Sequence, residues 1–205
     1  MRTSPLRACL ELSSDYSPAF EAVDIQKVDF ANEFVQDSLY RGPPTIEREK
    51  AWGQISHQAH ISLSRDDMRR LDRKDDVLSQ YMKAPEEEGG GYVASLEVFH
   101  QLHCLNFVRQ YYWFLQGQYS NETIPHYFTR PLDGPEYWRV HMDHCIETLR
   151  LTLMCHADVS PLLVKMNTSY DPPRQEAEFS ARHRCRNFNK IMAWNKQNGL
   201  SVFGQ

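Results

Sequence analysis

The chain has 205 residues, 41% of them hydrophobic and 24% charged, with a formal net charge of −4. That is enough for one domain with a substantial core, and an acidic balance without a long basic run excludes a nucleic-acid binder. No apolar run approaches the roughly 20 residues that span a bilayer, and Arg2, Arg7, Glu11, Asp15 and Glu21 interrupt any signal-peptide core, so the chain as given reads as soluble.

Residues 1–40 show little helical periodicity and read as an extended arm with short strands at Ala22–Ile25 and Val28–Phe30. After Pro43-Pro44-Thr45 comes a charged helical stretch ending near Trp52 and Ile55. Ser64-Arg65-Asp66-Asp67 is a capping box for a short helix through Leu71. Pro85-Glu86-Glu87-Glu88-Gly89-Gly90-Gly91 is a breaker and an exposed loop. The pattern then predicts a long central helix over 93–115, apolar on more than one side. A loop over 117–135 delivers Pro135 to the first turn of a helix over 136–155. Leu162-Leu163-Val164 reads as a strand, Pro172-Pro173 as a loop, and 182–196 as a last helix with Gly199 just beyond it. The expected fold is mainly α: a single domain over 1–205, with packed helices, short strands and long ordered loops.

Two pentapeptides share the pattern His-x-x-His-Cys. They are His100-Gln101-Leu102-His103-Cys104 and His141-Met142-Asp143-His144-Cys145. At 3.6 residues per turn, two histidines three apart lie about 60° from each other, so each helix offers two imidazoles on one side. Two such helices packed together could place His100, His103, His141 and His144 around one or two transition-metal ions. Copper suits His-only coordination best. Zinc lacks the accompanying Glu of a His-Glu-x-x-His site, and iron would need an acid such as Glu97, Asp143 or Glu147. His57 and His60 share the spacing but lack the Cys, and a lone pair of that kind is usually coincidence.

The cysteines are Cys9, Cys104, Cys145, Cys155 and Cys185. Asn121-Glu122-Thr123 and Asn167-Thr168-Ser169 are glycosylation sequons at Asn121 and Asn167, which matter only in a secretory lumen. In such a lumen Cys104 could bridge Cys145, and Cys155 could bridge Cys185, leaving Cys9 odd. The sequons favour bridges over thiolate ligands.

These residues carry a resemblance. Gly91 to Phe99 leading into HQLHCLN, then HMDHCIETLRLTLMCHADVSP, with SPAFEAV at 17–23 and RCRNF at 184–188, resembles the fungal UstYa-like oxidases of ustiloxin-type mycotoxin biosynthesis. The resemblance implies oxidative tailoring of a natural product by cyclisation, hydroxylation or halogenation. It also implies a copper cofactor on the four motif histidines, a homodimer or a heteromer with another family member, and a secretory-lumen location. Family members typically carry an N-terminal membrane anchor, which this chain does not show, and a Trp where Leu162-Leu163-Val164 stands. Two other functions fit the same histidines. One is a cofactor-independent cyclase or pericyclase in which they act as acid, base or hydrogen-bond donors. The other is a non-catalytic partner protein.

Overall fold

The computed structural model describes residues 8, 10, 12–31, 37–129, 134–156, 164–177 and 182–200. Among these, helices dominate and the strands are short, as the pattern predicts. Helix α1 (Ile46–Ser56) opens after the Pro-Pro pair, where the Thr45 hydroxyl accepts the Arg48 backbone N–H at 3.2 Å. Helix α2 (Arg65–Arg70) has the expected capping box, Ser64 and Asp67 each accepting the other's backbone N–H. The two motif helices are α3 (Glu97–Leu115) and α4 (Pro135–His156), and the last helix is α5 (Phe188–Asn198).

Strands β1 (Ile25–Asp29) and β6 (Arg182–Arg186) pair, as do β2 (Ile61–Leu63) with β3 (Tyr92–Ala94) and β4 (Val164–Asn167) with β5 (Arg174–Ala177). The β2–β3 ladder is antiparallel, with Ile61 opposite Ala94 and Leu63 opposite Tyr92. Hairpin β4–β5 turns around Pro172-Pro173, with Val164 opposite Ala177.

Three expectations are corrected here. The long helix starts at Glu97, because Tyr92–Ala94 is taken into a ladder with Ile61–Leu63. The last helix starts at Phe188, where Asn187 caps it by accepting the Lys190 N–H at 3.2 Å. The residues before it form β6, with half-buried His183 and Cys185 alternating with exposed Arg184 and Arg186, a period of two. Among the described residues of the N-terminal arm there is one strand, β1, preceded by a 3-10 turn over Pro18–Ala22. Leu162, Leu163 and Cys9 lie outside the described residues, and the strand expected at 162–164 begins at Val164. No helix among the described residues is long and apolar enough to cross a membrane.

The chain divides into two compact units. The first comprises Met1–Asp24, His57–His100 and Arg186–Gln205, and the second Ile25–Ser56 and Gln101–Cys185, so the division falls inside the unbroken helix α3. In the first unit Ile61, Leu63, Met68, Leu78 and Tyr92 pack together around the β2–β3 ladder. Gly91 leads into that ladder at φ +91°, where a Cβ would meet the Ser62 Oγ at 2.5 Å and the Leu63 carbonyl at 2.6 Å. Only glycine fits there without a shift of backbone.

The core of the second unit is aromatic. Phe107, Phe128 and Trp138 pack with Cys104 and Cys145, and Tyr111, Phe114 and Tyr127 close around them. Beside this cluster a polar network ties α1 to α3. Arg109 donates to both oxygens of Glu49, at 2.8 and 2.7 Å, and Gln110 donates to the same carboxylate at 3.1 Å. Tyr127 donates in turn to the Gln110 side-chain oxygen.

Candidate functional site

The two motifs come together through α3 and α4, but they meet across the helices rather than motif by motif. His103 faces His141 with ring centroids 6.0 Å apart. Cys104 meets Cys145, and both thiols are sealed, at 1% and 0% exposure. His100 stands one turn before Cys104 on the same unbroken helix. Within the second unit, a ligand atom of Cys104 and one of His144 lie within 4.8 Å of each other. His141 sits between the two groupings, its ring 6.5 Å from that of His144.

The site's inner wall is set by the aromatic core. His141 stacks on Phe107 at 4.0 Å and 25°. Phe107 is itself held by Tyr127, Phe128 and Trp138, with centroids about 6 Å away. An imidazole seated on a packed ring cannot swing freely, so its nitrogens point in fixed directions. Burial, and after it the neighbouring His144, hold the His141 imidazole below its ordinary value, so the ring is neutral at pH 7 and keeps a lone pair. Its Nδ1 is buried and has no hydrogen-bond partner in the protein. A buried polar nitrogen left unpaired costs roughly 1–3 kcal/mol unless something else binds it. On the outer side, the His100 Nδ1 lies 3.4 Å from a Glu97 carboxylate oxygen.

This donor set fits a borderline or soft metal. Imidazole nitrogens and one sulfur are the ligands that copper and zinc prefer, and the orphaned His141 Nδ1 is a nitrogen in want of a partner. The Cys145 thiol is not a good ligand. Burial, and then its hydrogen bond with Cys104, push it up to about 12, so it stays protonated.

The predicted bridges are not formed. Cys104, Cys145, Cys155 and Cys185 are all outside any disulfide. Cys104 and Cys145 meet as hydrogen-bonded thiols, and Cys155 is exposed near the end of α4 while Cys185 is half-buried in β6. Of the two sequons, Asn121 is exposed in a turn, and Asn167, ending β4, uses its side-chain oxygen to accept the Ser169 N–H. Phe99 is buried and Tyr111 packs in the aromatic cluster, while Tyr112 is exposed. The side chains of Asp143 and Glu147, weighed above as carboxylate ligands, lie outside the description.

Sequence reasoning missed Phe107 as the seat of His141, and it weighed a cysteine sulfur beside the imidazoles but preferred a bridge. The first was legible only as a helical offset, four residues after His103. The preference came from the sequons, since a cysteine adjoining each motif reads equally well as a bridge.

The neutral state of His141 gives a test in chelator-treated protein. The folded ring takes its proton at lower pH than the unfolded chain, whose value is about 6.5. Stability is therefore intact above about 6.5 and is lost as pH falls below it. The thermal midpoint should drop between pH 7.5 and 5.5, and His141→Gln should make that drop smaller. An equal drop in the variant would show that this ring does not carry the effect.

A family profile described as mycotoxin biosynthesis protein UstYa matches residues 1–198. Among curated relatives, the transacylase cctO of Talaromyces islandicus is 35% identical over 94% of this chain and 63% of its own length. The UstYa family oxidase phomYc of Diaporthe leptostromiformis is 37% identical over 94% of this chain and 72% of its own. A second such oxidase of that fungus, phomYc', is 37% identical over 94% of this chain and 65% of its own. The chain thus spans about two thirds of the length of these relatives. No solved structure matches it.

Proposed function

The chain belongs to the UstYa family, and from that premise we propose that it is a tailoring enzyme of fungal secondary metabolism that oxidises a natural-product intermediate at a copper ion. The observation that carries this is the gathering of His103, His141, His144 and Cys104 within the second unit, where the His141 Nδ1 has no hydrogen-bond partner in the protein. The ion would be held by those donors, with His100 as the remaining motif histidine. Copper would supply the one-electron and dioxygen chemistry that no side chain here possesses.

The protein's own part is positional. The Phe107 platform fixes His141, and the sealed thiol pair keeps water out from between α3 and α4. The Glu97 carboxylate near His100 can orient that ring and hold a proton on its Nδ1. The reading extends to a secretory-lumen location with glycans at Asn121 and Asn167, and to a homodimer or a heteromer with another family member.

A second, redox-neutral reading has support of its own. One relative is named a transacylase, and acyl transfer as a reaction class needs no oxidant. A neutral, half-buried imidazole such as His141 is suited to act as a general base in cyclisation or group transfer. One experiment separates the two. Metal analysis of the purified protein, followed by turnover with and without chelator and dioxygen, should show bound copper and activity lost on removing either. Full activity in anaerobic, chelated protein would overturn the oxidative reading.

A further inference from the structure

We propose that Ser95 and His60 form a second reactive centre, a nucleophile–base pair for acyl transfer served by the cleft beside strand β2. It uses none of the residues assigned to the histidine–cysteine grouping and stands independently of the function proposed above.

The pair follows from strand register. In the antiparallel β2–β3 ladder Ile61 lies opposite Ala94, so the next positions outward are His60 and Ser95. Their side chains meet, with the His60 Nδ1 2.6 Å from the Ser95 Oγ. Serine hydroxyls become nucleophiles when a neighbouring imidazole nitrogen can take their proton. The tautomer protonated at Nε2 leaves Nδ1 to accept it.

Such a base needs a fixed backbone beneath it, and the segment carrying His60 has one. The His60 carbonyl accepts the Leu200 N–H at 2.6 Å. The carbonyl of the preceding Ala59 accepts from the side chain of Asn195, which is wholly buried. Gly199 packs so close that a Cβ would stand 2.5 Å from the Ala59 Cβ. Ser95, by contrast, is exposed, and α3 begins two residues after it. The positive end of that helix favours negative charge developing on an acyl oxygen near Ser95.

A place for substrate adjoins the pair. A cleft of about 420 Å³ is lined by Ile61, Ser62, Trp194, Asn198, Gly199 and Leu200, among others. Along a strand, side chains two apart share a face. Ser62 therefore lies on the His60 side of the ladder, and Leu200 is the residue bonded to the His60 carbonyl. An indole and a side-chain amide suit a small acyl group with peptide-like polarity, offered as an ester or a thioester.

The step balances without an oxidant. The Ser95 Oγ bonds to the acyl carbon while its proton passes to the His60 Nδ1. The leaving alcohol or thiol departs with that proton, giving an ester on Ser95. An incoming amine or hydroxyl then attacks, gives its proton to His60, and the serine leaves reprotonated.

The test is covalent labelling of the full chain with a fluorophosphonate, with chelator present so that metal plays no part, followed by peptide mapping. Label should appear on Ser95, vanish in Ser95→Ala, and form about 100-fold more slowly in His60→Gln, the scale expected for removing a general base. Circular dichroism establishes that both variants are folded. Absence of label on Ser95 in the folded wild-type protein overturns the proposal, as does an unchanged rate in folded His60→Gln.

Discussion

Replacing His144 with alanine is expected to strip the protein of its metal and lower turnover by about 100-fold or more. Loss of a group that merely orients a ligand typically costs 10–100-fold in affinity or activity, so loss of a ligand should cost at least the upper figure. His144 is exposed, and its replacement leaves the aromatic core intact, so the variant should fold. His103→Ala should behave alike, since its ring faces that of His141 in the same unit. His141→Ala should show a second effect, because it removes the ring stacked on Phe107 and opens the wall of the core. Metal stoichiometry and turnover, measured on the same preparations, decide the matter. A His144→Ala protein that keeps full copper and full turnover would remove this centre from consideration. One that keeps its metal content at zero, as in wild type, yet loses turnover would favour imidazole acid–base chemistry instead.

The largest stability effect is expected at Glu49. Arg109 is only 10% exposed and Glu49 17%, and the guanidinium and carboxylate are paired through two hydrogen bonds. Glu49→Ala leaves the Arg109 charge without its main partner in a region of low dielectric. Breaking a buried pair from one side costs about 3–5 kcal/mol. At 2–4 °C per kcal/mol for a chain of this size, the thermal midpoint should fall by roughly 10 °C. Replacing both partners with apolar residues of similar volume, Glu49→Leu with Arg109→Met, should recover much of the loss, since no charge is then stranded. The damage should also reach the site mildly. Gln110 shares the Glu49 carboxylate and receives the Tyr127 hydroxyl, and Tyr127 is part of the packing around Phe107. If the single variant melts like wild type, the network is ornamental to the fold.

Helices whose boundaries are set by local chemistry were legible in the sequence. Ser64 and Asp67 fix the start of α2, Pro135 the start of α4, and Pro43-Pro44-Thr45 the start of α1. These signals act within one turn, so no distant residue is needed to read them. The strands were not legible in the same way. Val93–Ala94 and Arg182–Arg186 read as helix because a short segment acquires strand character from its partner, and those partners, in Ile61–Leu63 and Ile25–Asp29, lie far away in the chain.

The same division holds for chemistry. By itself the sequence determined which residue types recur, where the doubled His-x-x-His-Cys stands, and that both copies ride on helices. Those facts depend only on order and on a repeat of 3.6 residues per turn. Tertiary structure alone decided that His103 turns to His141, that Cys104 meets His144, that Phe107 seats an imidazole, and that a histidine set aside in the sequence meets Ser95. Each of these is a contact between segments whose separation along the chain carries no information about their distance in space; packing and strand register created it.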